Sequence, residues 1–63
     1  MIPVKIKDVK PGELIFLHNY KKPSFIHAYK ATEYTVENGK HLICRWKNCA
    51  QRLLDPDTTV YFP

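Results

Sequence analysis

The sequence predicts an all-β domain, either a small five-stranded barrel or a strongly bent antiparallel sheet. Three observations carry that expectation. Apolar residues come in short runs broken by Pro, Gly, Asn and Asp. Those runs are rich in β-branched and aromatic residues, which suit a pleated, half-buried surface. No stretch sustains the apolar spacing of three and four residues, with a cap at each end, that marks an amphipathic helix. A chain of 63 residues holds one domain, residues 1–63. The core of so small a domain supplies about 3–5 kcal/mol of net stability. An apolar fraction of 44% is enough to build that core and argues against disorder.

Taken in order, Ile2 to Val9 alternates Val4 and Ile6 with Lys5 and Lys7 and reads as a lead-in strand or arm, Val9 included with the apolar set. Pro11-Gly12 marks a turn, because Pro presets φ and Gly tolerates positive φ. Leu14 to Leu17 follows as a short buried strand, and His18 to Pro23 as a polar loop. Ser24 to Val36 is the longest strand candidate, and its phases conflict. Phe25, His27 and Tyr29 share one face, while Ile26, Ala28, Lys30 and Tyr34 share the other. One buried face cannot hold both sets, so a bulge or sharp bend is expected near Lys30–Thr32. Glu37-Asn38-Gly39-Lys40 predicts a hairpin turn, and His41 to Trp46 the next strand. Lys47-Asn48 reads as a tight turn into a strand from Cys49 to Leu53. Asp55-Pro56-Asp57-Thr58 is a turn, or one tight helical turn opened by Asp55, and Thr59 to Phe62 closes the domain.

The formal net charge of +4 and pI near 9.2 favour an anionic partner, nucleic acid or an acidic protein surface, or else serve solubility alone. No segment approaches the roughly 18 consecutive apolar residues of a membrane span. The first residues, Met1-Ile2-Pro3-Val4-Lys5, lack the apolar centre of a signal peptide, so the expected location is the cytoplasm and no membrane partner is expected.

The order of these signals resembles the Src-homology-3-type small barrel. Lys7 to Ile15 resembles the stretch where a loop delivers a Gly-acid pair into the second strand. Asn38-Gly39 resembles the distal hairpin, and Asp55 to Thr58 the tight turn ahead of the last strand. The resemblance implies a compact interaction module. Polyproline recognition is not implied. Its groove needs an aromatic pair early in the chain and a Trp after the acidic loop, whereas no aromatic precedes Phe16 and the single Trp is Trp46. The start Lys10-Pro11-Gly12-Glu13 and the finish Asp55-Pro56-Asp57-Thr58-Thr59-Val60 are also similar to those of short phage-encoded barrel proteins. That similarity suggests an origin and no mechanism.

Catalytic chemistry finds thin support: Cys49 with His41 offers one Cys-His nucleophile pair, of a kind that arises easily by chance in a chain with three histidines. There is no Gly-rich phosphate loop, nucleophile elbow or His-Glu pair at metal spacing. Cys44 and Cys49 with His41 or His18 lack the close cysteine pairs of structural zinc, and Asp55 and Asp57 are explained as turn residues. The chain is therefore read as a non-enzyme with no metal and no cofactor. The candidate binding set is basic and aromatic: Tyr20, Lys21, Lys22, Phe25, His27, Tyr29 and Lys30 in one stretch, joined by Arg45 and Trp46 from a neighbouring strand. Small barrels bind single-stranded nucleic acid by stacking bases on aromatics while cations meet phosphates. A core this small also needs aromatics, so Phe25, Tyr29 and Trp46 fit either role. The expected function is non-catalytic binding of a protein partner, with single-stranded nucleic acid as the alternative.

Overall fold

A computed structural model describes residues 1–35, 39–47 and 50–63, the side chains of 33–35 excepted. The described residues form six antiparallel strands: β1 (Ile2–Lys5), β2 (Leu14–Ile15), β3 (Tyr29–Thr35), β4 (His41–Arg45), β5 (Gln51–Leu54) and β6 (Thr59–Phe62). One sheet pairs β1 with β6, and the other runs β2-β3-β4-β5. The two meet at Phe16, just after β2. Its N–H and carbonyl exchange 2.9 Å hydrogen bonds with Tyr61 of β6. One short run thus pairs with β3 through Leu14 and Ile15 and with β6 through Phe16. Strand addition stops at β1 and β5 among the described residues, so the fold is a bent pair of sheets and not a closed barrel.

The local devices follow the residues. At Lys10-Pro11-Gly12-Glu13 the Glu13 N–H donates to the Lys10 carbonyl at 3.2 Å, and Gly12 takes φ +90°. Pro second and a positive-φ Gly third make a type II turn. The Gly12 N–H donates to the Ala31 carbonyl at 2.8 Å, and the Ala31 N–H to the Glu13 carbonyl at 3.2 Å. Gly12 and Glu13 together therefore oppose Ala31, a bulge that needs Gly at its first position. At Asp55-Pro56-Asp57-Thr58 the Thr58 N–H closes a tight turn on the Asp55 carbonyl at 2.9 Å.

Two long strand candidates are shorter than expected. Ile2 to Val9 is strand only to Lys5. Ile6–Asp8 winds into a 3-10 turn that returns Ile6 to the core, held by Ile6 N–H to Thr58 O at 2.9 Å. Likewise, Ser24 to Val36 becomes strand only at Tyr29. Phe25–His27 is a 3-10 turn whose start is capped by the Ser24 hydroxyl, accepting from the Ile26 N–H at 3.5 Å. The expected irregularity near Lys30–Thr32 is present: Ala31 pairs with Ile43 but Thr35 with His41, so β3 gains two residues on β4 in between. Thr32 Oγ1 donates to the Leu42 carbonyl at 2.6 Å inside this shift. Gly39 takes φ +74° in the β3–β4 connection. Glu37 and Asn38 of the expected hairpin turn, and Asn48 and Cys49 of the β4–β5 connection, lie outside the described residues.

The core is Ile6, Val9, Ile15, Tyr29, Ala31, Ile43 and Val60, with Val4, Leu17, Leu54 and Phe62 packed around it. Cross-strand partners share a face. Tyr29, Ala31, Ile43 and Arg45 therefore lie on the inner side of the larger sheet, with Lys30, Leu42, Cys44 and Leu53 on the outer side. No helix of the described residues is long and apolar enough to cross a membrane.

Candidate functional site

The structure separates the three aromatics whose role the sequence left open. Tyr29 is 6% exposed and belongs to the core. Phe25 and Trp46 are 61% and 51% exposed and lie together, ring centroids 6.3 Å apart and tilted by 30°. Between them in the chain's order stands Ile26, also half exposed, in the same 3-10 turn as Phe25. These are large apolar side chains left in water at one place, a feature that marks interaction sites.

Two bonds fix the patch. Arg45 Nη1 donates to the Ile26 carbonyl at 2.7 Å, and the Trp46 N–H donates to the Ala28 carbonyl at 3.0 Å. The end of β4 therefore holds the 3-10 turn at its middle residue and at the residue that follows it. Arg45 also lies over the Tyr29 ring, its guanidinium carbon 5.2 Å from the centroid. Burial pushes the Tyr29 hydroxyl up, but hydrogen bonds and charge from Arg45 and Arg52 outweigh it and hold the group below its ordinary value. Arg45 is thus bonded to the framework, and its role is to position the turn that carries Phe25.

The remaining expected residues divide by what they touch. Tyr20 stacks on His27 at 4.8 Å and 15°, and meets Phe16 and His18 edge-on at 6.0 and 5.8 Å. This cluster pins the loop that carries Lys21 and Lys22 to the buried Phe16. Lys30 holds its ammonium 5.9 Å from the Trp46 ring. Lys21 and Lys22 are exposed and make no ion pair among the described residues.

The sequence did not reveal a small open pocket of about 120 Å³ beside Phe25, lined by Leu14, Phe16, Pro23, Ser24, Phe25 and Pro63. It is well below the roughly 300–1,000 Å³ of small-molecule sites and is the size of one side chain. Its lining is almost wholly apolar. The distance in sequence between Leu14, Pro23 and Pro63 hid it.

Other constellations stay apart. His41 and Cys44 are three residues apart on β4 and so face opposite sides of the sheet. Cys44 is a half-buried free thiol. No group of three or more His, Cys, Asp or Glu residues among those described is arranged to hold a metal ion. Asp57 and Asp55 pair with Lys7 at 2.9 Å and Lys40 at 3.6 Å.

Comparison of the chain with protein-family models, with curated proteins and with solved structures gave no match.

Proposed function

We propose that this protein is a non-catalytic binding module that docks a partner protein through Phe25, Ile26 and Trp46 and the pocket beside them. One observation carries the reading: two exposed aromatic rings in contact, adjoining an apolar pocket sized for a single side chain. Trp, aromatic and Arg residues dominate protein-interface energetics because they bury large areas at low entropic cost. The pocket favours a protein ligand over a nucleobase. A base seated there would leave its donors and acceptors unpaired against apolar walls, at a cost of about 1–3 kcal/mol for each group; an aliphatic side chain has none to lose. The Src-homology-3-type path is supported by the hand-over of β2 between sheets at Phe16 and by the tight Asp55–Thr58 turn between β5 and β6.

Single-stranded nucleic acid is the second reading. It is favoured by the Lys30 ammonium beside the exposed Trp46 ring, an arrangement suited to a stacked base and its phosphate. Affinity capture on immobilised protein with nuclease-treated lysate separates the two. Protein docking predicts bound polypeptides that survive nuclease and vanish with Trp46→Ala. Retention that nuclease abolishes would favour nucleic acid instead.

A further inference from the structure

Resting on the docking reading, we infer that the segment this surface takes from its partner is acidic: a short stretch with one large apolar side chain flanked by carboxylates. Several of the chain's cations are used by the fold itself. Lys7 pairs with Asp57, Lys40 with Asp55, and the Lys5 ammonium donates to the Asp57 carbonyl at 3.1 Å. Arg45 donates to the Ile26 carbonyl and lies over the Tyr29 ring.

The cations bordering the aromatic patch are not used in this way. Lys22 precedes Pro23 of the pocket wall, Lys21 precedes Lys22, Lys47 follows Trp46, and Lys30 lies beside the Trp46 ring. None of the four pairs with a carboxylate among the described residues. The described carboxylate side chains belong to Asp8, Glu13, Asp55 and Asp57; Asp55 and Asp57 pair with Lys40 and Lys7, and Glu13 is the one that adjoins the pocket wall, preceding Leu14. Glu13 is turned back on the Lys10 N–H at 3.0 Å. The result, among the described residues, is an apolar centre bordered by lysines that no carboxylate pairs, which attracts a ligand of the complementary pattern and speeds its approach. The pocket admits one apolar side chain of that ligand, and its neighbours fall on the lysine rim. A second copy of this chain is a poor occupant, because its own net charge of +4 opposes approach to the same rim.

The test is selection from a random short-peptide library displayed on yeast, using the intact protein as bait at low salt. Enriched peptides are expected to be net negative with one large apolar residue. A synthetic enriched peptide should bind about tenfold more weakly when its Asp and Glu become Asn and Gln, with the loss in association rate. Lys21→Glu with Lys22→Glu, which takes the net charge from +4 to 0 (two changes of −2 each), should do the same. Trp46→Ala should weaken it about 30-fold. Enriched peptides that are neutral or basic, or amide versions that bind equally well, would overturn the acidic partner while leaving docking intact. Enrichment unaffected by Phe25→Ala and Trp46→Ala, or none at all, would overturn both. Tighter binding of single-stranded oligothymidylate than of any selected peptide would replace the acidic segment with nucleic acid. Self-association of the protein alone, abolished by Trp46→Ala, would replace it with a second copy.

Discussion

At the β5–β6 turn, Lys7 closes on Asp57 and Lys40 on Asp55, and the Ile6 N–H ties the first strand to Thr58. Along the Phe25–Trp46 surface, Lys21, Lys22 and Lys47 meet no carboxylate among the described residues, and two aromatic rings face water. β6 runs from one region to the other: it leaves the Asp55–Thr58 turn, and Pro63 just beyond it lines the pocket. Lysines serve both regions, to different ends. In the first they neutralise the chain's own carboxylates and brace a junction. In the second they pair with no carboxylate among the described residues and border an apolar centre, the arrangement on which the proposed docking rests. The aromatics split in the same way, with Tyr29 spent on the core and Trp46 left outside.

Four substitutions test this division. The largest effect should come from Tyr29→Ala, which empties a core position and removes the ring beneath Arg45. By analogy with other aromatic-to-alanine core changes it should cost about 3–5 kcal/mol, comparable to the whole stability of such a domain, and thermal denaturation by circular dichroism should show an unfolded chain at room temperature. Trp46→Ala should move the same melting curve little, since surface changes usually stay within about 0.5 kcal/mol, while costing about 2 kcal/mol in partner binding. A large loss of stability from Trp46→Ala would place it with Tyr29 and dissolve the contrast.

Arg45→Lys keeps the charge but shortens the fork that reaches the Ile26 carbonyl. Stability should fall by about 1 kcal/mol, the net worth of a hydrogen bond, and binding should fall with it as the Phe25 turn loosens. If Arg45 instead met the partner through charge alone, the lysine variant would bind normally.

The smallest effect concerns the Lys7–Asp57 pair, which lies at the surface. The Lys7 ammonium beside it, by hydrogen bond and charge, holds the Asp57 carboxyl below its ordinary value; Asp57 in turn raises Lys7. The Asp57 contribution is present above the unfolded carboxyl range and is lost as pH falls through the depressed folded value. The Lys7 contribution is present below the ordinary lysine range and fades as pH rises through the raised folded value. Asp57→Asn should therefore flatten the melting temperature slightly at both acid and alkaline extremes, and leave partner binding at neutral pH unchanged. A change in binding would mean that the two regions are coupled.

The sequence by itself determined what is local. Pro11-Gly12 and Asp55-Pro56-Asp57-Thr58 form the turns their residues require, because φ preference and side-chain bonding act within four residues. The conflict of apolar phases after Ser24 was legible too. It is resolved twice, by the capped 3-10 turn at Phe25–His27 and by the register shift after Ala31. Only the tertiary structure decided which aromatics face water. Alternation along a strand places Tyr29 and Lys30 on opposite sides, but it does not say which side will be covered. That is set by chain segments far away: the β1–β6 pair and the Ile6 turn pack over the face that holds Tyr29. The pocket has the same origin, since Leu14, Pro23 and Pro63 meet only because β2 bonds to β3 and to β6 at adjacent residues. Burial is a property of the assembled surface, and no window of the chain contains it.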